Sequence, residues 1–204
     1  MYKNIIFDMG NVLIDYVPEY ILSNFTTDAK TIDVLATLIF HDETWSLLDK
    51  GELTWEEAKA ITFSRIPKEL HALSKEVYDY WFDYKEENKE MLMLIKKLKE
   101  QGYKLFVCSN AASNIHEYKD RFEVFKYFDD IVFSADIKIA KPDNKIFHYL
   151  LHKNHLEPAQ CLFVDDLLIN IKAAKRCGIA GYHYNGNVNL FTKYLQAIDV
   201  LKRP

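Results

Sequence analysis

The stretch of sequence that decides the fold lies near the amino terminus and reads Ile5-Ile6-Phe7-Asp8-Met9-Gly10-Asn11-Val12. Its apolar run is typical of a strand that is buried on both faces of a parallel sheet. An aspartate ends the run, and a glycine follows two residues later. Because an aspartate near a glycine is by itself more often a turn former than a catalytic group, its meaning depends on the rest of the chain.

Further short apolar runs extend this pattern along the chain. The predicted strands are Asn4–Phe7, Lys104–Cys108, Ile131–Ser134, Cys161–Val164 and Ala180–Tyr184. Helical periodicity lies between and after the later strands, over Glu87–Gln101, Pro142–Asn154, Leu167–Cys177 and Val188–Leu201. Alternating strands and helices predict an α/β fold, with a Rossmann-like parallel sheet flanked by helices.

The connection between the first two strands is much longer than the roughly 30 residues of a simple strand–helix–strand unit. Its predicted helices are Glu19–Phe25, Ala29–Phe40, Thr54–Ser64 and Glu69–Tyr84. We therefore predict an α/β core of residues 1–15 and 87–204 with an inserted α-helical cap of residues 16–86. An elaborate crossover is the alternative. The aromatic residues expected in the cap's core, one or two of which could line a pocket, are Trp45, Trp55, Tyr80, Trp81, Phe82 and Tyr84.

Composition excludes several classes of protein. The 204 residues include 26 basic and 30 acidic side chains, a net charge of −4 that offers nothing to attract nucleic acid or an anionic membrane surface. No apolar stretch approaches the roughly 18 residues that span a bilayer, and the start lacks the long apolar core of a signal peptide. Three widely spaced cysteines are typical of reduced, buried thiols, so we expect a cytoplasmic protein. The oligomeric state cannot be predicted from these features.

Polar residues follow the predicted strands where parallel strands bring their carboxyl ends to one edge. They are Asp8, the pair Ser109-Asn110, Lys141 and the pair Asp165-Asp166. Three carboxylates provide the hard oxygen ligands that Mg²⁺ prefers, whereas a hydroxyl, backbone N–H groups and an ammonium can hold phosphate oxygens. Together they predict phosphoryl transfer through an aspartyl-phosphate.

These motifs, in this order and with helices inserted after the first, resemble those of the haloacid dehalogenase-like hydrolases. The resemblance covers Asn4 to about Gly181. It is closer still to the bacterial α-D-glucose-1-phosphate phosphatases and the N-terminal phosphatase domain of soluble epoxide hydrolases. The residues that carry this closer match are Asp8-Met9-Gly10-Asn11, Asp49-Lys50-Gly51-Glu52-Leu53, Lys141-Pro142-Asp143 and Asp165-Asp166 with Asn170. The resemblance implies a phosphatase that acts on a small phosphate ester.

The resemblance also implies a role for each matching residue. Asp8 would be the nucleophile and a Mg²⁺ ligand, and Lys141 would neutralise negative charge around it. The residues implied in binding are Ser109 and the amide of Asn110 for phosphate, the Gly10 carbonyl and Asp166 for Mg²⁺ directly, and Asp165 for Mg²⁺ through water or as a supporting residue. Asn170 would orient the loop that carries the two aspartates.

The sequence departs from the family's pattern at Gly10. Most phosphatases of the family carry there a second aspartate, which protonates the leaving group and then activates water. Acid–base help of this kind contributes about 10²–10⁴-fold to a rate. The candidates for a replacement acid are Asp15, His41 and Asp49. Because an anomeric phosphate is a better leaving group than an alkyl phosphate, we expect a sugar phosphate such as glucose 1-phosphate as the substrate.

Three alternatives stay open. A 2-haloacid dehalogenase would use the same nucleophile without a metal, but it would need an arginine early in the cap, and the chain has only Arg65, Arg121, Arg176 and Arg203. A binding or regulatory protein with weakened catalysis would account for Gly10. A phosphomutase would need the acid/base residue that is missing at Gly10.

Overall fold

The fold, described for residues 1–202 by a computed structural model, is built around a sheet of five parallel strands. The strands are β1 (Asn4–Phe7), β2 (Lys104–Ser109), β3 (Asp130–Phe133), β4 (Cys161–Asp165) and β5 (Ala180–His183), in the spatial order β3-β2-β1-β4-β5. In the register, Ile5 pairs with Leu105 on one side and Leu162 on the other. The predicted parallel sheet is therefore confirmed. Arg203 and Pro204, the last residues of the predicted core, lie outside the described residues.

Helices fill the connection between β1 and β2. They are α1 (Pro18–Ser23), α2 (Ala29–Leu35), α3 (Glu43–Asp49), α4 (Trp55–Arg65) and α5 (His71–Tyr80), followed by α6 (Lys89–Glu100), which returns the chain to the sheet. Helix α4 begins as its sequence indicates: the Thr54 side chain caps the Glu57 N–H, and the Glu57 side chain accepts from the Thr54 N–H. Asn88 caps α6 by accepting from the Met91 N–H.

The rest of the chain continues the alternation. Its helices are α7 (Ile115–Tyr118), α8 (Ser134–Ile137), α9 (Asn144–Lys153), α10 (Leu168–Arg176) and α11 (Val188–Ala197). Successive strand residues point to opposite faces. Ile5 and Phe7 pack in one apolar cluster with α6 and α11, whereas Ile6 packs in a second with α9 and α10. Helices thus cover both faces of the sheet and leave the ends of the strands free for a site.

The inserted segment differs from its prediction in several details. Helix α3 was not predicted. The predicted helix Glu69–Tyr84 is interrupted, because α5 ends at Tyr80 and Trp81–Tyr84 form a 3₁₀ turn. Residues Ala36–Phe40 continue α2 as a π-helical turn. Tyr80 is exposed and not in a core.

The apolar cluster of the inserted segment is shared with the sheet. Leu35, Val77 and Trp81 belong to the same cluster as Phe7. The division into a core and a cap of residues 16–86 stays a prediction. Within residues 1–202, none of the helices is both long enough and apolar enough to cross a membrane.

Candidate active site

The carboxyl ends of three neighbouring strands bring the predicted site residues together. Asp8 follows β1 directly, Ser109 ends β2 and Asp165 ends β4. Lys141 comes from the loop between α8 and α9. Because β1 is the central strand, with β2 and β4 on its two sides, Asp8 lies in the middle of this edge.

A buried lysine joins two buried aspartates at the centre of the site. The Lys141 Nζ lies 2.7 Å from Asp8 Oδ1 and 2.7 Å from Asp165 Oδ2. Burial works to lower the pKa of Lys141, but the two carboxylates together raise it above its ordinary value, so the ammonium stays charged. Burial raises the pKa of Asp8 to about 6, although the Lys141 charge opposes this shift. The Met9 N–H donates to Asp8 Oδ1 over 2.7 Å and fixes the carboxylate's orientation.

The adjacent aspartates differ in how far their oxygens are already engaged. Asp165 is fully buried and accepts from the Leu167 N–H at 2.8 Å and from the Asn170 side chain at 3.0 and 3.1 Å, besides its contact with Lys141. Asp166 is partly exposed and accepts from the Asn11 side chain over 3.2 Å. Asp166 therefore has more free oxygen capacity for a ligand, whereas Asp165 and Asn170 hold Lys141 and the loop in place.

The acidic cluster suits a small divalent cation. Carboxylate oxygens of Asp8, Asp165 and Asp166 all lie within 4.8 Å of one another. Oxygen donors in this number fit Mg²⁺, which prefers one or two carboxylates together with water and phosphate oxygens. The predicted Mg²⁺ therefore fits this cluster, with Asp8 and Asp166 as its available side-chain ligands.

The turn after β2 is tied to the lysine. The Asn110 side chain donates to the Lys141 carbonyl over 2.9 Å and accepts from the Lys141 N–H over 2.8 Å. This reciprocal pair engages the Asn110 side chain and not its backbone N–H, which is the group that the resemblance implies for phosphate binding. Ser109 is buried at the end of β2 and faces the same cavity as Asp8.

A cavity of about 460 Å³ opens above these groups and is roofed by the inserted helical segment. Its aromatic wall consists of Tyr16, Trp45, Trp81 and Tyr118. Of the three candidate acids, His41 and Asp49 line the cavity, whereas Asp15 lines a separate surface pocket. The His41 Nε2 lies 3.3 Å from Glu19 Oε1, near the rim of the cavity. Gly10 also lines the cavity, and a Cβ built on it would meet only Tyr16 Cβ, at 3.9 Å.

Two residues of the site were not predicted. Asn11 has a left-handed backbone (φ +55°), and its side chain accepts from the Tyr16 N–H at 3.0 Å while it donates to Asp166. Its position after a glycine in a turn was the available signal, since asparagine tolerates this backbone. Lys85 lines the cavity beside three aromatic rings, but nothing in the sequence around it distinguishes it from a surface lysine.

Comparison with known proteins identifies the family. The sequence model of the haloacid dehalogenase-like hydrolase family matches residues 2–178, and the chain belongs to this family. A sesquiterpene phosphatase of Aspergillus oryzae is 27% identical over 89% of this chain and 89% of its own length. A phosphorylated carbohydrates phosphatase of Thermotoga maritima is 26% identical over 86% of this chain and 81% of its own length.

A solved structure agrees with both the fold and the metal prediction. It is a HAD family enzyme of Bacteroides thetaiotaomicron in complex with magnesium and inorganic phosphate. It superposes with a TM-score of 0.75 at 25% identity, over 92% of this chain and 96% of its own. The predictions of the family, of the α/β fold and of a phosphatase within this family are thus confirmed.

Proposed function

We propose that the protein is a Mg²⁺-dependent phosphatase that forms an aspartyl-phosphate at Asp8 and acts on a small phosphorylated metabolite, with sugar phosphates such as glucose 1-phosphate as the expected substrates. The observation that carries the proposal is the buried Lys141 ammonium, which contacts Asp8 and Asp165 beside a third carboxylate at the mouth of a cavity.

The nucleophile is the Asp8 oxygen that does not contact Lys141. Lys141 engages Oδ1, as does the Met9 N–H, so Oδ2 is left to attack phosphorus. Lys141 compensates part of the charge that builds up when a phosphate dianion approaches a carboxylate. Asp8 and Asp166 would hold Mg²⁺, which would supply further positive charge beside the phosphate.

The phosphate itself is held by the end of β2. The Ser109 hydroxyl and the Asn110 backbone N–H act as donors to phosphate oxygens. Because the Asn110 side chain is paired with the Lys141 backbone, the Ser109-Asn110 turn and the lysine are held at a fixed separation. This preorganisation favours the transition state because no group has to be reoriented during reaction.

The cavity favours a small substrate. A volume of about 460 Å³ lies in the range of about 300–1,000 Å³ that is typical of small-molecule sites. Its wall combines Trp45 and Trp81 with the polar groups Asp49, Lys85 and Asn114. Aromatic faces beside hydrogen-bonding groups suit a sugar ring. The aromatic share of the wall also makes a terpenoid phosphate a second candidate, in keeping with the sesquiterpene phosphatase relative.

The cavity does not favour dehalogenation. Among the cavity-lining residues within the described chain, none is an arginine. Arg65 is paired with Asp42, and Arg121 with Asp83. A halide and a substrate carboxylate would therefore lack the arginine expected to bind them.

Phosphate release tests the proposal. The substrates are α-glucose 1-phosphate, p-nitrophenyl phosphate and farnesyl phosphate, each with Mg²⁺ or with EDTA. We expect Mg²⁺-dependent release that disappears in Asp8→Asn and persists in the matched surface variant Asp120→Asn, because Asp120 is exposed and forms an ion pair with Lys119 at the surface. Release by Asp8→Asn at the wild-type rate, or undiminished release in EDTA, would contradict the proposal. Preference for farnesyl phosphate would favour the second candidate.

A further inference from the structure

Among the described residues, none of the groups in direct contact with Asp8 can protonate a leaving oxygen. Gly10 has no side chain, and the Lys141 ammonium lies between two carboxylates. Asp165 is occupied by three donor groups. A proton donor has to come from another residue that faces the same cavity.

Asp49 is such a residue, and its backbone is tied to the phosphate-binding side of the site. The Ser134 hydroxyl donates to the Asp49 carbonyl and accepts from the Ala111 N–H over 3.0 Å. Ala111 follows the Ser109-Asn110 turn directly. A second close contact lies two residues after Asp49. Gly51 (φ +68°) packs so tightly that a Cβ on it would lie 2.6 Å from the Ala135 carbonyl oxygen. The end of α3 is thereby held at a fixed distance from the turn that binds phosphate.

The surroundings of Asp49 favour its neutral form. Burial raises the pKa of Asp49 to about 7, and the Lys85 ammonium opposes this shift only in part. Its position at the carboxyl end of α3 acts in the same direction, because the helix dipole disfavours a carboxylate there. The titratable groups whose charges reach Asp49 are Lys85, Asp8, Lys141, Tyr16 and Tyr118. Near neutral pH a fraction of Asp49 therefore carries a proton that it can donate.

Lys85 is placed to stabilise the negative charge that this proton transfer leaves on Asp49. Its Nζ lies 4.5 Å from the Trp81 ring centroid and 4.9 Å from that of Tyr16. Burial among these rings lowers the pKa of Lys85 to about 8, and Asp49 partly restores it. When Asp49 loses its proton, the nearby ammonium stabilises the carboxylate in a site of low dielectric constant.

We propose that Asp49 is the general acid and base that replaces the side chain missing at Gly10; this inference rests on the phosphatase function proposed above. In the first step Asp8 Oδ2 bonds to phosphorus, the bond from phosphorus to the leaving oxygen breaks, and the Asp49 proton goes to that oxygen. In the second step the Asp49 carboxylate takes a proton from water, the water oxygen bonds to phosphorus, and the bond to Asp8 breaks. Inorganic phosphate leaves, and both carboxyl groups return to their starting state.

The other two candidates fit less well. Asp15 lies outside the cavity, where burial and then the nearby Glu86 charge raise its pKa. His41 lines the cavity, but its Nε2 is engaged with Glu19 and its side chain is half-exposed at the rim. Of the three candidates, Asp49 alone combines a place in the cavity wall with a backbone fixed to the phosphate-binding turn.

Leaving-group dependence tests the proposal. Phenyl phosphate and p-nitrophenyl phosphate have similar size, but the phenyl leaving oxygen is much more basic and needs a proton more. In Asp49→Asn we expect the phosphorylation rate with phenyl phosphate to fall by about 10²–10⁴-fold, and the nitrophenolate burst to fall by less than about tenfold. The matched control Asp15→Asn should leave both rates at the wild-type level.

A second variant distinguishes a lost proton donor from a damaged fold. The Gly10 position has room for a Cβ, so Gly10→Asp can supply a carboxyl group within the cavity. We expect Gly10→Asp in the Asp49→Asn background to restore turnover of phenyl phosphate. Three results would overturn the proposed role of Asp49 while leaving the phosphatase function intact. They are equal losses of rate with both substrates, no loss of rate with either, or no recovery of phenyl phosphate turnover by Gly10→Asp. No phosphate release by the wild-type enzyme from any compound would overturn the phosphatase proposal, and this role with it.

Discussion

Replacing Lys141 by methionine removes the ammonium between Asp8 and Asp165 while keeping a side chain of similar length. The two carboxylates are 8% and 0% exposed, so the change leaves uncompensated charge in the interior. Removing one partner of a buried ion pair costs about 3–5 kcal/mol. For a chain of this size, in which 1 kcal/mol shifts Tm by about 2–4 °C, the expected loss is roughly 6–20 °C. The control Lys153→Met breaks an exposed pair with Asp130 and should cost less than about 1 kcal/mol.

Urea unfolding in EDTA at pH 7 and pH 5 measures the effect. Burial already raises the pKa of Asp8 in the folded protein, and loss of Lys141 raises it further. A carboxyl group whose folded pKa exceeds its unfolded pKa stabilises the fold at low pH, and this stability is lost as pH rises through the folded value. The difference in the free energy of unfolding between the wild type and Lys141→Met should therefore be smaller at pH 5 than at pH 7. A variant within 1 kcal/mol of the wild type at pH 7, or a deficit that grows at pH 5, would refute this reasoning.

Three further changes test other parts of the structure. Mg²⁺ at about 100 times its Kd should stabilise the fold by about 2.7 kcal/mol in a thermal melt, and Asp166→Asn should remove most of that gain; an undiminished gain would exclude Asp166 as a ligand. Gly51→Ala should destabilise more than Gly186→Ala in urea unfolding, because both have positive φ but only Gly51 faces a carbonyl, that of Ala135, at 2.6 Å; equal losses would contradict the close packing. Asn11→Ala should lose more phosphatase activity than Asn11→Gly, since glycine keeps the left-handed backbone (φ +55°) at low cost; similar losses in kcat would assign the effect to the side chain alone.

The sheet could be predicted well because its strands are continuous apolar runs. β1 has the predicted bounds, and each of the other strands differs by no more than one residue at either end. The inserted helices were harder, because several are short and change their hydrogen-bonding pattern. Helix α3 has only Thr44 and Leu48 buried, too few positions for a clear helical period. At the break, the Trp81 ring packs against Tyr16, Phe40 and Trp45, which are contacts between distant parts of the chain.

The candidate site shows a similar division between local and long-range information. Asp8, Ser109 and Asp165 could be located because each follows a strand that belongs to one parallel sheet. The different contacts of Asp165 and Asp166 depend on which way each side chain points at the end of β4. Two neighbouring residues of identical type do not indicate this by themselves, and only the family resemblance distinguished their roles. Lys85 directly follows the 3₁₀ turn Trp81–Tyr84 and lines the cavity, a placement that local sequence does not indicate. Such contacts arise from the packing of distant elements.

The central claim is that the phosphoryl group is transferred from the substrate to Asp8 before it is released as phosphate. It is tested most directly by mixing the enzyme and Mg²⁺ with p-nitrophenyl phosphate for a single turnover, quenching in acid and mapping the phosphoryl group by mass spectrometry. We predict one phosphoryl group on the peptide that contains Asp8, which forms with the nitrophenolate burst, decays with phosphate release and is absent in Asp8→Asn. Turnover with no phosphorylated peptide at any time point, or with the phosphoryl group on another residue, would contradict the claim.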